Sequence, residues 1–408
     1  MSKTLLIVEK NPSGSIGLRK AKERNLNIVF LSSNKYYNKV SVEDRKYIDS
    51  FIEIDTNNDE LVIETVKKLN AQNSFDGVMT FLEFYVPLAA RIAKELGLPG
   101  ISLENAYCAR NKFLMREKLK EAGVPIPLYK AVKSIAEAKE FAESIKYPNI
   151  IKPVNLAGSR SVIRNDNELE LEENFNIAKG ELPPFGINKE DILLLEEYMD
   201  GPEFSVESVS FNGNVSFMSI TKKLVQGKNT FVEIGHVVPA ILDKETEEQI
   251  YNIAKKAILA LGIFNGTSHT EVKLTKNGPQ IVEIAARLGG DHIPELVEIA
   301  LGVDLWSAWL SVTLGEEPNV LPKKQIGAAI SYLTAVPGVV KKIENIPQLP
   351  KENIHELHVE TDIGKNVRHL NNSSDRLGYV IATGKTSDEA ESTAKNVSDT
   401  IKIITDNL

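Results

Sequence analysis

The residues best placed to do chemistry lie in two runs that alternate at period two, 269–274 and 280–287, and read as the arms of a β-hairpin. A two-residue turn at Asn277-Gly278 sets Glu271 opposite Ile284, whereas a three-residue loop from Lys276 to Gly278 sets Glu271 opposite Glu283. Face consistency selects the three-residue loop. Val272 and Leu274 then share a core face with Val282 and Ile284, while His269, Glu271, Lys273, Glu283 and Arg287 share the other. Two carboxylates directly across from each other are unfavourable without a compensating charge. Lys273, Arg287 or a divalent cation could supply it, and oxygen-only ligands of this kind suit Mg²⁺ held jointly with substrate phosphates. The competing reading is a solvated charged face. Gly289-Gly290-Asp291-His292 counts against it, because a glycine pair beside such a face lets a ligand approach the backbone.

Further candidates are weaker one by one. Lys152 ends an apolar strand before Pro153, a place where a lysine is often only an edge gatekeeper. Residues 155–161, Ser159 among them, are small, hydroxyl-bearing or basic enough to fold over phosphate oxygens, although no Walker A sequence occurs. Lys112 opens a helix over 112–122, where plain solvation is the simpler reading. The apolar strand at 193–195 turns acidic at Glu196 and Glu197. Its end could offer backbone groups to a purine edge, with a nearby carboxylate for ribose hydroxyls.

These residues need a scaffold, and the chain has the length for one. Its 408 residues suggest two to three domains at roughly 150 residues each. Hydrophobic residues at 42% and charged residues at 25% exclude a disordered or fibrous chain. A net charge of −8 argues against a general nucleic-acid binder. One cysteine, Cys108, excludes an intramolecular disulfide framework and multi-cysteine metal sites. The apolar run 5–8 is too short for a signal-peptide core, and the longest charge-free run, 325–340, contains Pro337 and Gly338 and is too short to span a membrane. A cytoplasmic protein without membrane or nucleic-acid partners is expected.

Strands at 4–8, 27–31, 51–54 and 77–80 alternate with helices at 16–24, 61–69 and 85–96, which predicts a parallel sheet covered on both faces. The turn after the first strand carries Gly14 and Gly17 but not the G-x-G-x-x-G order, so an ordinary glycine turn is favoured over a dinucleotide site. A helical unit follows at 105–123, then a helix at 135–145 and a strand at 149–152. The polar segment 164–189 is given no element. Strand-like stretches run through 204–220, a long helix covers 245–261, and short strands with one helix fill the chain beyond Pro318.

Taken in order, 109–116, 150–153, 195–199, 201–207 and the hairpin with Glu271, Glu283 and Arg287 resemble the ATP-grasp superfamily over most of the chain. Gly235-His236-Val237-Val238-Pro239 and 269–273 look most like its dipeptide-forming L-amino acid ligases. The resemblance implies an α/β protein, α+β in its C-terminal half, with the ATP-grasp fold. Its parts would be a Rossmann-like N-terminal domain (1–104), a small lobe with helical linker (105–190), a large lobe with the hairpin (191–320) and a β-rich C-terminal domain (321–408). It implies ATP and Mg²⁺ or Mn²⁺ as cofactors, amino acids as small-molecule substrates, and allows a homodimer. Lys112, Lys152 and Ser159 would contact phosphates. Glu196, with the backbone of Glu197 and Met199, would hold adenine, and Glu203 the ribose. Glu271 and Glu283 would bind the metal, Arg287 would orient the carboxylate and acyl phosphate, and His236 would lie near the amino acid. Where many relatives have Asn two residues after the second metal glutamate, this chain has Ala285.

The implied reaction is ATP-dependent joining of two amino acids through an acyl phosphate. Glu83 and Asp291 are placed to meet an α-ammonium or a cationic side chain, which makes a basic first substrate such as arginine an expectation. An ATP-grasp carboxylase or formyl-transfer enzyme, and a nucleotide-binding sensor without chemistry, are the rival readings.

Overall fold

Alternate residues of the strand Thr4–Val8 enter two different cores, as a fully buried parallel strand requires. In the computed structural model, described for residues 2–226 and 231–407, this strand lies inside a four-stranded parallel sheet. The order is Ser50–Glu53, Asn27–Ser32, Thr4–Val8, Gly77–Met79. Leu6 and Val8 pack on the helices Asp59–Gln72 and Val86–Leu96. Leu5 and Ile7 face the helix Gly14–Glu23 and, beyond it, Leu305–Thr313. The glycines of the first turn serve this packing. A Cβ on Gly14 or Gly17 would stand 2.7 or 2.6 Å from the Phe81 ring, so they admit an aromatic neighbour.

A second sheet is antiparallel and small, in the order Tyr129–Val132, Leu193–Glu197, Asn149–Pro153, Ile163–Asn165. Ile151, Leu193 and Leu195 face the helices Ile135–Ile145 and Glu168–Gly180. Period two then turns Ile150, Lys152 and Glu196 to the opposite side. The helix Glu168–Gly180 fills a segment that reads as merely polar. Asn167 caps it by accepting from the Glu170 amide, and Leu171, Phe175 and Ala178 bury one narrow stripe.

The third sheet has eight strands: Gly278–Ala285, Gly266–Thr275, Glu203–Phe211, Asn214–Gln226, Val232–Val238, Gly327–Tyr332, Gly378–Gly384, Ile354–Val359. One face packs on the helix Lys244–Ala260 through Ile250, Ile253, Ala254 and Ala257. The expected domain limits after residues 190 and 320 each fall between strands of one sheet. Among the described residues no single helix is long and apolar enough to cross a membrane.

The hairpin pairs Glu271 with Glu283 by a route other than the expected one. Its tip is a two-residue turn with Thr275 opposite Gly278, one position tighter than the three-residue loop. A β-bulge beside Glu271 inserts Val282 and restores the opposed glutamates. The bulge also changes the faces. Val272, Ile281 and Ile284 are fully buried in the core, whereas Val282 joins Glu283 on the cavity side.

Candidate active site

One cavity lies between the small sheet and the polar face of the large one. All of the expected site residues line it: Glu83, Lys112, Lys152, Ser159, Glu196, Glu197, Met199, Glu203, His236, Glu271, Glu283, Arg287 and Asp291. Its floor is built by register. Lys273, Glu203, Lys223 and His236 are successive partners across four strands, and His269 lies beside Glu207 two rows on, past the Glu271–Ser205 pair. Residues 155–161 form a wall in which Gly158, Ser159 and Ser161 all adopt positive φ.

The floor is a lattice of opposite charges. Lys223 Nζ lies 2.6 Å from Glu203, 2.7 Å from Glu271 and 3.2 Å from Glu233. Burial opposes its charge, but those three carboxylates outweigh burial and hold the ammonium well above its ordinary pKa. Lys273 adds a second cation, 3.4 Å from Glu203. His269 Nδ1 stands 2.5 Å from Glu207, and its Nε2 is 3.5 Å from Glu271. Burial would lower the imidazole pKa, yet Glu207 pushes it up to about 10, so the ring is cationic at neutral pH. Gly289 donates its amide to Glu207 at 3.1 Å. A Cβ there would be 2.9 Å from His269 Nδ1, so this glycine lets the Glu207–His269 pair, and not a ligand, approach the backbone.

Glu271 and Glu283 each have one lysine partner. Lys223 donates to Glu271 Oε1 at 2.7 Å, and Lys112 donates to Glu283 Oε1 at 2.8 Å. Their Oε2 atoms accept no hydrogen bond among the described residues. Burial would raise the Glu271 pKa, but Lys223 and His269 hold it well below the carboxylate range. Lys112 also donates to the Leu156 carbonyl at 2.7 Å, which ties the wall at 155–161 to the hairpin.

Three expectations about acidic groups need correction. Glu196, expected at adenine, is buried with Oε1 2.6 Å from Arg116 Nε and Oε2 2.5 Å from Lys152 Nζ. Both oxygens are engaged, so this carboxylate acts on Arg116 and Lys152. Burial lowers the Lys152 pKa against the pull of Glu196. Glu83, expected to meet a cationic substrate, is clamped between Arg287, at 2.5 and 3.0 Å, and Arg110, at 3.2 Å. Burial would raise its pKa, but the two guanidinium groups bring it to about 2. Asp291 is held in a two-pronged grip by Arg376, at 2.6 and 2.7 Å, with His236 Nε2 at 3.3 Å. His236 Nδ1 is buried without a hydrogen-bond partner among the described residues.

Arg116, Glu207, Lys223 and Arg376 were not singled out from the sequence. Glu207 had a signal, since Glu203, Ser205 and Glu207 alternate along one strand and must share a face. Arg376 had none; a strand order that sets 327–332 beside 232–238 and 378–384 beside 327–332 delivers it to Asp291.

The fold agrees with the comparisons to known proteins. Residues 145–295 match the ATP-grasp domain, residues 18–100 the ATP-grasp N-terminal domain, and residues 331–406 the L-amino acid ligase C-terminal domain 2. The chain thus carries an ATP-grasp domain and an ATP-grasp N-terminal domain. Among proteins with this architecture it is similar to amino acid ligases. It is 30% identical to the alanine–anticapsin ligase of Bacillus subtilis (strain 168) over 271 residues, 62% of this chain and 57% of that ligase. It is 25% identical to the L-arginine-specific L-amino acid ligase of Bacillus subtilis over 86% of this chain and 85% of the relative. The crystal structure of an L-amino acid ligase from Bacillus licheniformis superposes with a TM-score of 0.83, at 25% identity, covering 100% of this chain and 99% of that one.

Proposed function

We propose that the protein is an ATP-dependent carboxylate–amine ligase that joins two L-amino acids into a dipeptide and releases ADP and phosphate. The observation that carries this reading is the opposed pair Glu271 and Glu283, set in one cavity with Lys112, Lys152 and Arg287. A carboxylate must be activated before an amine can displace its oxygen, and activation by phosphoryl transfer needs cations around the spreading charge.

The donor set fits a divalent metal. Two carboxylates with open Oε2 atoms supply hard oxygen ligands, and no cluster of three or more candidate ligands occurs among the described residues. The other oxygens of such a shell belong to phosphates and water, as is usual for Mg²⁺. Glu271 and Glu283 would hold Mg²⁺ or Mn²⁺, which when bound neutralises charge on the phosphate oxygens.

Lys152, fixed by Glu196, and Lys112, fixed by Leu156, hold phosphate oxygens, with Ser159 in the wall beside them. Backbone groups of Glu197 and Met199 receive adenine, and Glu203 the ribose hydroxyls. Arg287, aimed by Glu83, orients the substrate carboxylate. A carboxylate oxygen attacks the γ-phosphorus, the bond to ADP breaks, and an acyl phosphate forms. The neutral amine of the second amino acid then attacks the acyl carbon, and phosphate leaves with the former carboxylate oxygen. The amine proton passes to the departing phosphate or to solvent, and His236 lies on the cavity floor near this step. The wall at 155–161 keeps water from the acyl phosphate.

The basic first substrate does not form part of this reading, because Glu83 and Asp291 already have guanidinium partners. Phosphate release from Mg-ATP against pairwise mixtures of amino acids, with mass spectrometry of the products, tests the proposal. A pair-dependent signal with a dipeptide mass supports it. Turnover that requires bicarbonate, or ATP binding without turnover on any pair, contradicts it.

A further inference from the structure

We infer that the amino-acid subsite beside Arg287 takes a substrate with an uncharged side chain, and that Arg376 enforces this by holding Asp291. The inference rests on the ligase reading and narrows its substrate class.

Asp291 follows the glycine pair with φ at 57° and lines the cavity four residues beyond Arg287. A free carboxylate there would attract an ammonium or guanidinium side chain. Arg376 removes that option with a grip of several parts. Its Nη2 and Nη1 reach Oδ1 and Oδ2 of Asp291 at 2.6 and 2.7 Å. Its Nε donates to the Ser373 carbonyl at 2.8 Å, and Nη1 also to the Glu233 carbonyl at 3.3 Å. The guanidinium lies over the Tyr332 ring, 3.7 Å from its centroid. Tyr332 Oη in turn donates to the Asp291 carbonyl at 3.0 Å, which fixes the backbone under the pair.

A substrate cation entering here would have to displace a guanidinium held at five points or sit beside it with no anion of its own. Both are costly in a largely buried site. The other acids at this end give no alternative. Glu83 is held by Arg110 and Arg287, and Glu233 by Lys223, with Ser373 Oγ donating to it at 3.4 Å. Phe231 and Ile293 supply apolar surface to the same wall. Arg376 is therefore a specificity residue: it touches Asp291, and Asp291 faces the ligand.

The test is a substrate panel on the full chain, read as kcat/KM from ADP release with product masses. The wild type is expected to favour uncharged amino acids over arginine and lysine by about tenfold or more, from the cost of an uncompensated charge. Arg376→Met bares Asp291, and should shift the arginine-to-uncharged ratio toward arginine by about tenfold or more, chiefly through KM. The double variant Arg376→Met with Asp291→Asn should lose that gain. It also leaves no buried charge unpaired, so it reports if the single variant does not fold. A wild type that prefers arginine or lysine overturns this inference and leaves the ligase reading standing. So does an Arg376→Met enzyme with an unchanged ratio. A wild type that turns over no amino acid pair overturns the ligase reading, and this inference with it.

Discussion

Glu271 and Glu283 on the large sheet each keep one oxygen without a hydrogen bond among the described residues, whereas Glu196 on the small lobe has both oxygens in ion pairs. All three line one cavity. The difference lies in whether register brings cations to one oxygen or to both. On the large sheet the hairpin bulge sets two carboxylates face to face and one lysine reaches each of them. On the small lobe, Arg116 from the helix Lys112–Glu121 and Lys152 from the neighbouring strand converge on one carboxylate. A half-neutralised pair can still bind something; a fully paired group can only position its partners.

That contrast is sharpened first at Glu196. Glu196→Gln leaves Arg116 and Lys152 buried without an anion, and should cost about 3–5 kcal/mol of stability in denaturant unfolding. At the hairpin the same kind of change should strike chemistry instead. Glu283→Ala should lower kcat for ADP release by about 10²–10³-fold while the unfolding midpoint shifts little. A variant that unfolds instead would place Glu283 with Glu196 as a structural group.

Glu83 belongs with Glu196, since guanidinium groups reach both of its oxygens. Its folded pKa of about 2 lies below the ordinary 4.5, so its stabilising contribution is present above about pH 4.5 and fades as pH falls toward 2. Glu83→Gln should lose about 1.5–3 kcal/mol at neutral pH, and the gap to wild type should close on acidification over that window. A gap that stays constant with pH would break the assignment. The smallest effect is expected at Glu197, whose side chain is exposed. Glu197→Ala should stay within about 0.5 kcal/mol in stability and leave the ATP titration nearly unchanged, because the backbone is the proposed adenine contact.

The N-terminal sheet was legible because buried parallel strands are short apolar runs separated by amphipathic helices, and the first strand has its expected limits. The hairpin shows the opposite case. The expected pairing of Glu271 with Glu283 is present, yet the tip turn differs and a bulge makes up the difference; only the two faces, not the loop, carried information. The helix Glu168–Gly180 was hidden because three buried residues among acidic neighbours leave a faint period. Ion-pair partners were the least legible. Arg376 and Asp291 are 85 residues apart, and nothing local in either stretch reports that a sheet continuing past residue 320 brings them together.

The most direct measurement of the central claim follows the oxygen. An amino acid labelled with ¹⁸O in its carboxylate, turned over with Mg-ATP and a second amino acid, should deliver one ¹⁸O into each inorganic phosphate and none into ADP. Unlabelled phosphate alongside product would contradict the acyl phosphate, and with it the role given to Glu271, Glu283 and Arg287.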